Sequence, residues 1–148
     1  MKVKIKKLSP DAVIPTYKHD GDAGFDLKAS KTMSILPGQT IKIPTGLAFD
    51  IPKGYEMQVR PRSGISAKTP LLVIMGTIDS GYHGEVSIIA YLRPSLDSEN
   101  GERVIIKGTR IAQAVIAPVI HANFEEVDEL EDSERGTAGF GSTGVKQK

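Results

Sequence analysis

Short runs in which every second residue is apolar, each closed by glycine or proline, commit this chain to a β-rich fold. Val3 and Ile5 alternate with lysines, and Ile41 and Ile43 follow Pro37-Gly38. Leu47, Phe49 and Ile51 alternate up to Pro52-Lys53-Gly54. Tyr55, Met57 and Val59 alternate with Glu56, Gln58 and Arg60, and Val86, Ile88, Ala90 and Leu92 repeat the pattern. A period of two puts one set of side chains on each face of a strand, so each run has an apolar face to bury. Asn100-Gly101 ahead of Val104-Ile105-Ile106 reads as a hairpin turn. Ser63 to Lys68 is the one stretch suited to a short helix, stopped before Pro70. A chain of 148 residues is large enough for one real core. The expected fold is all-β, a jelly-roll-like sandwich with one short helix.

The last residues break the alternation altogether. Arg135-Gly136-Thr137-Ala138-Gly139-Phe140-Gly141-Ser142-Thr143-Gly144 holds glycines, hydroxyls, one arginine and one aromatic, which cannot build a core. Glycine lets backbone N–H groups approach phosphate oxygens, arginine offers a fork that matches them, and phenylalanine offers a face on which a base stacks. The stretch therefore reads as a nucleotide-closing arm, with an ordinary disordered terminus as the plain alternative. Glu125 to Glu134, acidic at seven of ten positions, reads as a solvated linker. The expected division is a body over residues 1–130 and a flexible arm over residues 131–148. Gly139, Gly141 and Gly144 match the dinucleotide-loop spacing, but too little chain follows for the helix that loop requires. Gly136 and Gly141 have P-loop spacing, but Ser142 stands where that loop needs lysine.

Composition removes other classes. With no cysteine there are no disulfides, thiolate metal sites or cysteine nucleophiles. His83-Gly84-Glu85 therefore cannot belong to a zinc deaminase signature, which needs a cysteine half. Lysine and arginine total 19 against 18 acids, so no global field draws the chain to nucleic acid or to a membrane. The longest apolar run, Leu71 to Met75, is too short to span a bilayer, and a cytoplasmic protein is expected.

Four more segments interrupt the strands with polar or glycine-rich chemistry: Ala23-Gly24-Phe25-Asp26-Leu27, Pro61-Arg62-Ser63-Gly64, the loop from Gly76 to Gly84, and Gly108 to Gln113. Taken singly, each has a plain explanation. Asp26 could cap a turn, Ser63 could be a helix N-cap, Gln113 could face solvent on an edge strand, Tyr82 could pack, and Asp79 could stabilise a turn. Taken together and in this order, AGFDL, RPRSGIS, GTIDSGYHGEV, KGTRIAQAVI and RGTAGFGSTG resemble the trimeric deoxyuridine triphosphatases from about residue 20 to residue 144.

The resemblance implies a jelly-roll subunit of the β-clip type, a homotrimer, and active sites shared between subunits. It implies hydrolysis of dUTP to dUMP and pyrophosphate, which keeps uracil out of DNA and supplies dUMP for thymidylate synthesis. It implies that Asp79 is the catalytic residue activating the attacking water and that Tyr82 packs beneath the deoxyribose. Gly76, Thr77 and Ile78 would belong to the hairpin that holds uracil, and Arg62, Ser63, Gly64 and Gln113 would contact phosphates. In the arm, Arg135 would reach the γ-phosphate, Phe140 would stack on uracil, and Gly141, Ser142 and Thr143 would close on the phosphates. Asp26 would face Mg2+ through water, the ion riding on the triphosphate. His83 is left without a role. The alternatives are a deoxycytidine triphosphate deaminase relative, which needs a glutamate beside the base and a different tail, and a nucleotide-sensing regulatory binding protein. No direct nucleic-acid partner and no membrane association are expected.

Overall fold

The computed structural model describes residues 1–94 and 101–137, and their strands are all antiparallel. Four segments make the sheet that carries most of the polar chemistry: β2 (Phe25–Lys28), β6 (Tyr55–Pro61), β8 (Gly76–Ile78) and β11 (Arg110–Pro118), in the order β2-β11-β6-β8. A three-stranded sheet orders β4 (Thr40–Pro44), β9 (Ser87–Leu92) and β7 (Leu71–Val73) as β4-β9-β7. Two smaller pairs join β1 (Lys4–Lys7) to β5 (Leu47–Asp50), and β3 (Met33–Ile35) to β10 (Arg103–Ile105). Among the described residues the one helix, α1, covers Ser63–Lys68, as expected. It ends where Thr69, preceding Pro70, adopts an extended conformation (φ −139, ψ 155).

The alternation is realised almost residue by residue. Leu47, Phe49 and Ile51, Met57 and Val59, and Val86, Ile88, Ala90 and Leu92 are all buried and join one core with Leu27, Ile35 and Ile43. Burial of these side chains is the main force holding the sheets together. Tyr55, Ile41, Val3 and Ile5 pack against the core without being fully covered. The hairpin turn expected at Asn100-Gly101 falls partly on residues the structure does not describe. The strand that follows it, β10, pairs with β3, while β9 is already flanked by β4 and β7. Asn100 itself lies outside the described residues. A period-two signal says which face of a strand is buried, not which strand lies beside it, and β10 takes a partner distant in sequence.

One irregularity positions the site. Along β11 the pairing with β2 shifts register between Arg110 and Ala112, and Ile111 and Ala112 are both buried. A bulge adds one residue to a strand and re-aims its side chains. Without it, Arg110 would share the core-facing parity of Ala112 and Ala114. With it, Arg110 is exposed and on the side of Gln113.

Beyond Pro118 the described chain carries no further strand, and its apolar side chains find no cover. Ile120, Phe124 and Leu130 are 93%, 98% and 87% exposed. Residues 134–137 form a turn, with Gly136 N–H donating to the Ser133 backbone oxygen at 3.0 Å.

Candidate active site

Residues opposite one another across neighbouring strands share a face of a sheet. In the four-stranded sheet, Asp26, Gln113 and Arg60 stand in register across β2, β11 and β6. Two positions along, Val115, Gln58 and Thr77 form the next row across β11, β6 and β8. The opposite face carries Phe25, Ala114, Val59 and Gly76 and belongs to the core side. Asp26 and Thr77 therefore occupy one polar face but opposite edges of the sheet, and those edges are three interstrand spacings or about 14 Å apart.

At the β2 edge, a hollow of ≈ 370 Å³ gathers residues from four sequence segments. It is lined by Thr16, Lys18 and Asp22, by Gly24 and Asp26, by Arg62, Ser63 and Gly64, and by Arg110 and Gln113. Asp26 is half-buried mid-strand, not at a turn. Its Oδ1 lies 2.7 Å from Arg62 Nε and its Oδ2 lies 3.5 Å from Arg110 Nη1. Arg62 also donates to the Arg110 backbone oxygen at 3.1 Å. One carboxylate thus orders two guanidinium groups at the mouth of the hollow. Gln113 is on a central strand, not an edge, and its Nε2 donates to the Pro61 backbone oxygen at 2.8 Å. That bond ties the glutamine to the residue entering the Arg62-Ser63-Gly64 turn.

Ser63 is not the helix N-cap. Arg62 holds that position in an extended conformation, with no side-chain cap bond. The Arg62 carbonyl accepts from Ile65 and Ser66 N–H groups, both at 3.0 Å, so the earlier N–H groups of Ser63 and Gly64 have no acceptor within the helix. Gly24 lies so close to β11 that a Cβ there would stand 3.1 Å from the Ala114 backbone oxygen and 3.1 Å from Gln113 Oε1.

The second hollow, of ≈ 240 Å³, lies at the β8 end and is lined by Lys42, Thr77, Ile78, Asp79, Tyr82, Glu85, Ser87 and Ile89. Its centre is a four-residue turn. Tyr82 N–H donates to the Asp79 carbonyl at 3.2 Å, and Gly81, with φ +88, takes the position where a type II turn requires glycine. The turn is the reason an acid and an aromatic three apart in sequence come together in space. The Asp79 carboxylate is exposed and, among the described residues, has no hydrogen-bond or ion-pair partner. Gly76 lies in β8 opposite Val59, beside the hollow.

His83, beyond the turn, points away to a surface cluster. Its Nε2 is 3.2 Å from Asp50 Oδ1, and Lys4 Nζ is 3.3 Å from Asp50 Oδ2. The His83 imidazole, and after it the Lys4 ammonium, hold the Asp50 carboxyl below the usual carboxylate range.

The two hollows share no lining residue. Arg135 sits in the turn at residues 134–137 and lines neither of them. Phe140, Gly141, Ser142 and Thr143 lie outside the described residues. A larger hollow of ≈ 440 Å³, between Val3, Ile5, Tyr17, Phe25, Phe49 and Ile116, is mainly apolar and holds none of the expected site residues. Sequence reading missed Lys18, Thr16, Asp22 and Arg110 in the first hollow and Lys42 and Glu85 in the second. Arg110 had no usable signal, because strict alternation puts it on the face opposite Gln113 and only the bulge between them brings the two to one side. Lys18 and Thr16 lie in a loop without periodicity and carried none. Among the described residues no three His, Asp or Glu side chains converge as a metal cage, and no helix is long and apolar enough to cross a membrane.

Comparison with known proteins gives a consistent result. A family model described as dUTPase matches residues 11–144. A protein of Nautilia profundicola named deoxyuridine 5'-triphosphate nucleotidohydrolase is 50% identical over 146 residues, covering 97% of this chain and 99% of that protein. The solved structure of the Staphylococcus bacteriophage 80alpha dUTPase with dUPNHPP superimposes with a TM-score of 0.89 at 36% identity, over 97% of this chain and 99% of that one. A mutant dUTPase from phage phi11 of S. aureus, described with a structural Mg(II) ion, gives a TM-score of 0.80 at 29% identity, over 89% of this chain and all of that one. A match over nearly the whole length, at half identity and with the same arrangement of strands, has one reading: the chain belongs to the dUTPase family.

Proposed function

We propose that this protein hydrolyses dUTP to dUMP and pyrophosphate. The observation that carries the reading is the Asp79 carboxylate, exposed and uncommitted in a hollow beside Tyr82, in a chain half identical to a named deoxyuridine triphosphate hydrolase. A carboxylate free of an ion pair can accept a hydrogen bond from water and take its proton as attack proceeds. The water oxygen bonds to the α-phosphorus, the bond from that phosphorus to the α–β bridging oxygen breaks, and pyrophosphate departs with the electron pair. Such transfers depend mainly on positioning and on charge stabilisation. Arg62, the N–H groups of Ser63 and Gly64, and Gln113 would bind the phosphates, since a guanidinium fork and unpaired N–H groups suit that anion. Gly76, Thr77 and Ile78 would hold uracil along the β8 backbone, and Tyr82 would underlie the deoxyribose and exclude a ribose 2′-hydroxyl.

Magnesium fits this donor set only in a light role. An ion carried by the triphosphate keeps several waters and needs few protein ligands. Asp26, at the mouth of the first hollow, would meet it through water while also orienting Arg62 and Arg110. When bound, the ion would neutralise phosphate charge as pyrophosphate leaves.

The assembly we propose is a homotrimer with sites shared between subunits. The separation of the two hollows within one chain supports it, as do the uncovered Ile120, Phe124 and Leu130. The body would extend over residues 1–130 and the closing arm over residues 131–148, with Arg135, Phe140, Gly141, Ser142 and Thr143 completing the site. The deciding assay offers the pure protein dUTP, UTP, dTTP and dCTP in parallel with magnesium and measures pyrophosphate. Release from dUTP alone is expected. Equal release from all four, or none from dUTP, would refute the reading. Ammonia from dCTP would indicate the deaminase.

A further inference from the structure

We propose that Gly84 is a positioning residue for sugar discrimination, because the place its side chain would take is filled by the Tyr82 ring. The inference rests on the reading of Tyr82 as the residue beneath the deoxyribose. A Cβ on Gly84 would lie 2.4 Å from Tyr82 Oη, 2.6 Å from Cζ and 3.0 Å from Cε2. Two of these separations are well inside van der Waals contact, so a methyl group there and the ring in its present place are incompatible. The backbone does not call for glycine at this position. Gly84 is absent from the glycines with positive φ, whereas Gly81, three residues earlier, has φ +88. Turn geometry therefore accounts for Gly81, and the aromatic ring accounts for Gly84.

The surface under the ring is itself pinned. Tyr82 Oη donates to the Glu85 backbone oxygen at 3.3 Å. The Glu85 carboxylate accepts from Gly46 N–H at 2.7 Å, and Val86 N–H donates to the Leu47 carbonyl at 2.8 Å. Gly84 thus precedes a stretch tied to β5, and the phenol lies across it. The ring is the outer end of a side chain that is 47% exposed. An added methyl would displace the ring and leave the fold intact.

The test is Gly84→Ala, read in two ways. With 3-fluorotyrosine incorporated at the four tyrosines, the Tyr82 signal, assigned by its loss in Tyr82→Phe, should move in the unliganded variant. The dUTP-over-UTP ratio of kcat/KM should fall about tenfold, the scale of discrimination by one small group. Added to Tyr82→Ala, the same substitution should change the ratio no further. An unmoved signal with parental selectivity would overturn the proposal. So would an equal loss of selectivity in the absence of the Tyr82 ring. A moved signal with unchanged selectivity, in a protein whose Tyr82→Ala variant is also unchanged, would refute the sugar role of Tyr82, and the inference with it.

Discussion

Asp79 and Asp26 show how differently two carboxylates can be committed in one chain. Asp26 has both oxygens turned to guanidinium groups, while Asp79 has no partner among the described residues. Asp79→Asn should therefore abolish turnover yet leave nucleotide binding largely intact, as measured by calorimetry beside a pyrophosphate assay. Asp26→Asn should loosen Arg62 and Arg110 together. Asp50 offers a titration test. Its depressed pKa means that its ion pairing supports the fold above the ordinary carboxylate pKa and is lost as pH falls through the folded value. His83→Ala removes the largest cause, so the Asp50 carboxyl should titrate at higher pH in an NMR titration. The cluster is exposed, so the overall stability should barely change. Asp26, Arg62, Gln113, Asp79 and Tyr82 were singled out in the sequence only as a set, through the resemblance of their segments to the family's motifs. Their pairings were not legible, since an ion pair between residues 26 and 62 depends on which strands meet.

At the scale of elements, the strands and α1 followed from alternation and from Pro70, because apolar periodicity and the geometry before proline are local causes. The bulge at Ile111 and the pairing of β10 with β3 escaped, because each is decided by a partner strand distant in sequence. The turn after β4 is a further point where local chemistry and tertiary packing coincide. Gly46 has φ +69, and a Cβ there would stand 2.8 Å from Ala12 Cβ and 3.1 Å from Ser9 Cβ. Gly46→Ala should cost about 1–3 kcal/mol in urea unfolding, combining left-handed strain with a clash. Because Gly46 N–H also holds the Glu85 carboxylate, the loop carrying Tyr82 should lose order in the same variant.

At the scale of the whole molecule, a single chain presents an arginine-bearing hollow at one sheet edge and a carboxylate–aromatic hollow at another, with no lining residue in common. Removing residues 135–148 should cripple hydrolysis while circular dichroism of the body is retained. Phe140→Ala should weaken substrate binding by about 1–3 kcal/mol, the worth of one base–aromatic stack. Light scattering should return three times the mass of the 15.9 kDa chain. The divided geometry also makes a genetic statement. Two crippled alleles, one with Arg62→Ala and one with Asp79→Asn, should rescue each other when co-expressed, because in the shared-site trimer we propose a mixed assembly would bring an intact half from each parent to the same substrate. Either allele by itself should remain dead.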